Sequence, residues 1–234
     1  MAAPEVSRVD PPDGPIDGEL LQIFLHDLNS PLTAIRMLAE LLQDGANTGR
    51  DQDVQDMLEA VDLASATIDG VAAMRRGVDD RPIGPIDLGP LLRQVAGRPA
   101  LRRGLTCHSE DGLVARGDQP AILRALTDIM FTARRMADAN AVVAVRAKRR
   151  GSEVVIEVDV PGLGLPSGAH ESLFAADGVL EMRRNRLPTT VFGLVHARRV
   201  VERHAGRLSV TDHASGGVLL TIALPISSGG EPAR

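Results

Sequence analysis

Residues 17–43 read DGELLQIFLHDLNSPLTAIRMLAELLQ, and the spacing of their apolar side chains decides how the first part of the chain folds. Leu21, Leu25, Leu28, Leu32, Ile35, Ala39 and Leu42 recur at alternating steps of four and three. That is a heptad seam, the stripe by which one helix packs against another. Gly45 and Asn47 end it. A second helical run follows over residues 51–76, with Val54, Met57, Leu58, Val61, Ala64, Ile68, Val71 and Met74 along one side. Two long amphipathic helices with a short link fold back as an antiparallel hairpin. One hairpin cannot cover both stripes, so two chains are expected to pair into a four-helix bundle, a homodimer.

Outward from the hairpin the pattern changes. Residues 1–16, with Pro4, Pro11, Pro12, Gly14 and Pro15, read as a disordered tail. The hairpin occupies 17–77, and 78–85, rich in Gly and Pro, reads as a linker. From 86 to 226 short strands alternate with helices. Asp87 is placed to cap a helix over 88–96. Strands are expected at 104–109 and 112–116, a longer helix over 118–137, strands at 141–148 and 153–160, a helix over 191–204, and closing strands at 207–212 and 217–224. Helices laid beside a mixed sheet make an α/β sandwich, so the fold class is α+β. A Gly-rich tail takes 227–234.

Composition narrows the functions available. The formal net charge of −5 gives no basic footprint for nucleic acid, and with four Phe and no Trp or Tyr there is no aromatic platform for stacking bases. Cys107 is the only cysteine, which excludes an intramolecular disulfide and a cysteine-rich metal knuckle. The N-terminus lacks the basic start and apolar run of a signal peptide, and no apolar stretch approaches the roughly 18 residues needed to span a bilayer. The expectation is a cytoplasmic protein without a membrane partner.

The chemistry concentrates at residues 26–32. Leu25 and Leu28 point into the seam, which puts His26 at its flank, supported by the bundle and open to solvent. An imidazole fixed through one nitrogen offers the other as a nucleophile. Asp27 is placed to accept a hydrogen bond from the ring and set that tautomer. Pro31 interrupts the backbone ladder at a cost of about 3 kcal/mol in an ordinary helix, so a kink beside His26 is expected.

The run His26-Asp27-Leu28-Asn29-Ser30-Pro31-Leu32 resembles the H-box of bacterial sensor histidine kinases: His, acid, Leu, any, polar, Pro, Leu. The resemblance spans roughly residues 17–225. It implies that His26 is the phosphoacceptor, that the hairpin is the dimerisation domain, and that Ser30 stands where phosphatase-competent relatives place a Thr or Asn to position water. Receiver docking is expected around Leu20, Phe24 and Asn29.

The second half is similar to the ATP-binding domain of the same kinases in its frame: Ile86-Asp87-Leu88, Gly117-Asp118, residues 200–208 and the ending Gly217 to Pro225. Its catalytic positions depart from the pattern. Thr132 stands where an Asn should hold magnesium, and Asp128 where the preceding Asn should be. Val160 takes the place of the adenine-reading Asp, with Asp159 one residue early and on the other side of a strand. Gly162 and Gly164 match the two glycines that follow, but only Gly193 survives from the phosphate-cradling motif at 189–194. A degenerate ATP-binding-like domain is expected, with no cofactor or metal bound by this chain. His204 reads as structural, and His108, His170, His196 and His213 show no pairing or metal-ligand spacing in the sequence.

The resemblance then implies a histidine phosphotransferase of a two-component phosphorelay. It would shuttle phosphoryl groups through His26 between aspartates of response-regulator receiver domains or a hybrid histidine kinase. Magnesium would be supplied at the receiver. The alternatives are a divergent ATP-dependent histidine kinase using Asp128 and Asp159 in shifted roles, and a non-catalytic pseudo-kinase that binds receivers or a true kinase.

Overall fold

The heptad repeat of the first segment winds into α1 (Gly18–Gln43), and the second into α2 (Arg50–Arg76). This is a computed structural model, and it describes residues 18–43, 50–76, 83–138, 140–162, 164–165, 168–175, 192–213 and 216–227. The two helices pack against each other, with buried Pro31 on α1 and buried Ala60, Ala64 and Thr67 on α2. In a single chain part of the seam stays bare. Leu25, Leu32, Val54, Leu58, Val61 and Ile68 are each about half exposed, between 45% and 49%.

The second half is self-sufficient. After β1 (Gly84–Asp87), α3 (Leu88–Ala96) and the short α4 (Pro99–Arg102) come β2 (Leu105–Ser109), β3 (Val114–Gly117) and α5 (Gln119–Met136). Then follow β4 (Val143–Arg150), β5 (Glu153–Val160), α6 (Ala169–Ser172), α7 (Phe192–Arg203), β6 (Arg207–Asp212) and β7 (Val218–Pro225). The main sheet has the order β2-β4-β5-β7-β6, parallel between β2 and β4 and antiparallel elsewhere. β1 and β3 form a separate antiparallel pair. The expected α+β sandwich is therefore present.

Alternation along the strands builds one core. Val154, Ile156, Val158 and Val160 of β5 join Val143 and Val145 of β4 and Leu220, Ile222 and Leu224 of β7. They meet Leu92 of α3, Ile122, Leu126 and Ile129 of α5, and Leu194, Ala197 and Val200 of α7. The intervening residues, including Glu157 and Asp159, sit on the opposite face of the sheet. Caps fix the helix starts: Asp87 Oδ1 accepts from the Gly89 amide at 3.0 Å, and Asp118 from the Ala121 amide at 3.4 Å.

Three elements escaped sequence reading. β1 begins at Gly84 because it pairs with β3, so it takes the last two residues of the stretch read as linker. The one-turn α4 and α6 are too short to carry a periodic pattern. The β4 strand also runs two residues later than the alternation suggested, Val143–Arg150, since its register is set by β5.

The two halves meet through α2, which packs on α4, α5 and α7. At its N-terminal end the contact is a polar clasp. Arg102 Nη2 donates to Gln55 Oε1 at 2.9 Å, and Arg103 donates to Gln52 Oε1 at 2.8 Å and Asp56 Oδ1 at 3.2 Å. Arg103 Nε lies 3.8 Å from Glu59. Arg103 and Asp56 are 48% and 41% exposed, so solvent screens the pair. A double-mutant cycle on Arg103→Ala and Asp56→Ala is expected to give a coupling of about 0.2–1 kcal/mol that shrinks with salt. A coupling of zero at low salt would contradict the clasp.

Candidate functional site

The H-box lies on α1. Asn29 and Ser30 are exposed one turn beyond His26, and Pro31 is buried between them and exposed Leu32. The helix assignment runs through Pro31 from Gly18 to Gln43 without interruption, so the expected kink does not end the helix. Proline has no amide hydrogen, so the carbonyl of Asp27 receives no helical bond from residue 31. The backbone at His26, Asp27, Leu20 and Phe24 is helical; their side chains lie outside the described residues.

The second site is built where α5 and α7 touch. Arg124, Asp128 and Thr132 follow at steps of four on one face of α5. Arg124 Nε donates to Asp128 Oδ1 at 2.8 Å. The other oxygen, Oδ2, accepts from His196 Nδ1 at 3.0 Å, across from α7. The side chains of Asp128 and His196 are 2% and 9% exposed. Burial pushes the Asp128 carboxyl above its ordinary value, against the opposing pull of His196 and Arg124. Thr132, itself buried, donates its hydroxyl to the main-chain carbonyl of Asp128 at 2.8 Å.

These contacts bear on the residues singled out from sequence. Thr132, at the expected magnesium-holding position, and Asp128, at the preceding Asn position, are turned to partners within the protein. Magnesium demands near-octahedral oxygen ligands, and a hydroxyl spent on its own helix and a carboxylate facing a guanidinium and an imidazole do not fit that set. Val160 is 2% exposed and in the core. Asp159 lies on the opposite sheet face, 4.0 Å from Arg146, and so cannot read a base beside Val160. Gly162 has φ +145°, a conformation suited to glycine, and Gly164 is exposed. Residues 176–191, including the first part of the motif at 189–194, lie outside the described residues.

Gly193 has a role that its motif position does not convey. A Cβ there would come to 3.0 Å from the Asp128 Cβ, so glycine is what lets α7 approach α5. His196 one turn later is buried and paired with Asp128, which no spacing in the sequence signalled because the α5–α7 contact is tertiary. The Arg124–Asp128 spacing of four was a readable signal. His170 also has a partner, Asp212 Oδ1 at 3.0 Å from its Nε2.

His204 is structural as expected. The Asp118 amide donates to its Nε2 at 2.9 Å, so the ring proton sits on Nδ1 and is donated to the Val200 carbonyl at 2.6 Å. It walls a cavity of about 650 Å³ with Ile83, Arg116, Arg203 and Ser227, remote from Asp128. Among the described residues no cluster of three metal-ligating side chains occurs, and no helix is long and apolar enough to cross a membrane.

Comparison with known proteins agrees with this geometry. Residues 17–76 match the His Kinase A (phospho-acceptor) domain. Residues 117–228 match the family of histidine kinase-, DNA gyrase B- and HSP90-like ATPases. The signal transduction histidine-protein kinase BaeS of Escherichia coli is 25% identical over 86% of this chain and 45% of its own length. The sensor protein SphS of Synechococcus elongatus is 27% identical over 86% of this chain and 52% of its own. The chain thus spans about half the length of these curated relatives. Among solved structures, the Acinetobacter baumannii histidine kinase AdeS superposes with a TM-score of 0.55 at 14% identity, covering 87% of this chain and 98% of that one. The ATP-binding domain of PrrB from Mycobacterium tuberculosis gives 0.51 at 20% identity, over 63% of this chain and all of that one. With a phosphoacceptor-type hairpin followed by an ATPase-type sandwich, the chain is a histidine-kinase-derived protein of the two-component class.

A carboxyl held above its unfolded value binds its proton more tightly in the folded state. Acidification through that folded value therefore favours folding at this group, and ionisation above it works against folding. Carbon-13 titration of Asp128 is expected to give a midpoint above the ordinary value of about 3.9. A midpoint at or below that value would contradict the burial-dominated site.

Proposed function

We propose that this chain is a dimeric histidine phosphotransferase, in which His26 exchanges phosphoryl groups with the phosphorylated aspartates of receiver domains. One observation carries the reading. The side chains at the magnesium-holding position, Thr132, and at the preceding Asn position, Asp128, are both committed to internal hydrogen bonds. Phosphoryl transfer from ATP relies almost wholly on positioning and charge neutralisation, and a site without its metal ligands supplies neither. The phosphoryl group then has to come from another protein.

The chemistry asked of the hairpin is correspondingly small. A ring nitrogen of His26 attacks the phosphorus of an aspartyl phosphate. The P–N bond forms as the P–O bond to the receiver carboxylate breaks, and that carboxylate leaves. The receiver's acidic site supplies magnesium. The reverse path passes the group to a second receiver. Asp27 is the proposed orienter of the ring, and exposed Asn29 and Ser30 follow His26 by three and four residues on α1. The bare stripe of Leu25, Leu32, Val54, Leu58, Val61 and Ile68 supports pairing with a second copy.

The second reading is a divergent ATP-dependent histidine kinase. It is favoured by the curated relatives, which are named as sensor kinases. Asp159 facing away from Val160 and Asp128 held by Arg124 and His196 weigh against the shifted roles it requires.

Transfer from a phosphorylated receiver to a second receiver, followed by radiolabel, tests the proposal. The wild-type chain is expected to accelerate it, passing through an acid-labile, alkali-stable intermediate. His26→Gln is expected to lower the rate at least a hundredfold, in the range typical of losing a nucleophile. A His26→Gln chain that transfers at the wild-type rate would overturn it.

A further inference from the structure

We infer that Arg124, Asp128 and His196 form an internal latch that fixes the first turns of α7 to α5 with no nucleotide or metal at that place. The inference rests on the proposed reading that no magnesium nucleotide occupies this place.

Three independent features of the site converge on it. The first is donor and acceptor matching: each carboxylate oxygen of Asp128 has one strong partner, Arg124 at 2.8 Å from its own helix and His196 at 3.0 Å from the other. The second is burial. Asp128 at 2% and His196 at 9% exposure have no bulk water to fall back on, so breaking the pair strands a buried polar group. The third is Gly193. It sits three residues before His196, on the same helical face, and its missing Cβ permits the approach to Asp128. A larger residue there would push α7 away and pull His196 off the carboxylate.

The latch is placed to do more than hold one helix. α7 packs against both α5 and α2. The position of α7 therefore sets the surface on which the hairpin rests, while the Arg102–Arg103 clasp adds only exposed, screened contacts further along α2. The two fastenings differ in what their loss does: removing one partner of the nearly dry pair strands a buried polar group, whereas solvent screens the exposed clasp. In this arrangement the hairpin finds a ready-made platform with no ligand bound, as a domain kept for docking requires.

Hydrogen exchange on the full chain tests this. In the wild type, amides of 194–203 should be protected, and millimolar MgATP should leave them unchanged. His196→Leu removes the donor and should speed exchange in α7, and around residue 128 of α5, on the order of tenfold or more. Amides of β4, β5 and β7 should stay as they were. His196→Gln, which keeps an N–H donor, should lose much less, and that conservative variant guards against a chain that merely fails to fold. Unchanged α7 exchange in His196→Leu would overturn the latch alone, and so would a rise spread evenly over sheet and helices. Slowing of α7 exchange by MgATP in the wild type would overturn the nucleotide-free reading on which the inference rests.

Discussion

Asp128 lies where two helices touch and water does not reach, so each of its oxygens must be met by a donor from the protein. An unpaired carboxylate in such a place costs several kcal/mol, a large part of a domain's net stability of about 5–15 kcal/mol. Arg124 and His196 are the donors that meet it. The consequences reach outward. Both carboxylate oxygens are engaged by protein partners, α7 is held against α5, Gly193 must stay small, and α2 rests on the face that results.

The two halves solve the burial problem differently. The C-terminal sandwich closes its own core, with Leu88, Leu92, Ile129, Val158 and Leu220 all excluded from solvent. The hairpin does not. Its heptad positions stay half exposed in one chain, and about 25 cal/mol per Å² of apolar surface is available to a second copy that covers them. Between the halves the clasp is polar and screened. Such a division suits a protein whose helical stalk carries chemistry for visiting partners while the sandwich serves as a fixed body.

Much of this architecture was legible from residue spacing. The steps of four and three from Leu21 to Leu42 marked α1, and the alternation from Val154 to Val160 marked β5, because local periodicity is itself the physical cause of those elements. Asp87 and Asp118 announced helix starts because capping is local too. The misses were tertiary. β1 exists only because β3 lies beside it, and His196 is paired only because Gly193 brings α7 onto Asp128. The register that sends Asp159 to the far face was read from alternation alone and agrees with the strand pairing of Ala144 with Asp159. The side chains of His26 and Asp27 lie outside the described residues, so their roles stand on the sequence motif and the helix that carries it.

The account stands on a single separation of duties: the imidazole on α1 handles the phosphoryl group, and the sandwich no longer feeds it from nucleotide. Incubation of the purified chain with magnesium and γ-labelled ATP alone, with the modified residue mapped afterwards, tests that most directly. The account expects no label on His26 under conditions in which a phosphorylated receiver labels it. Stoichiometric label on His26 from ATP alone would contradict it.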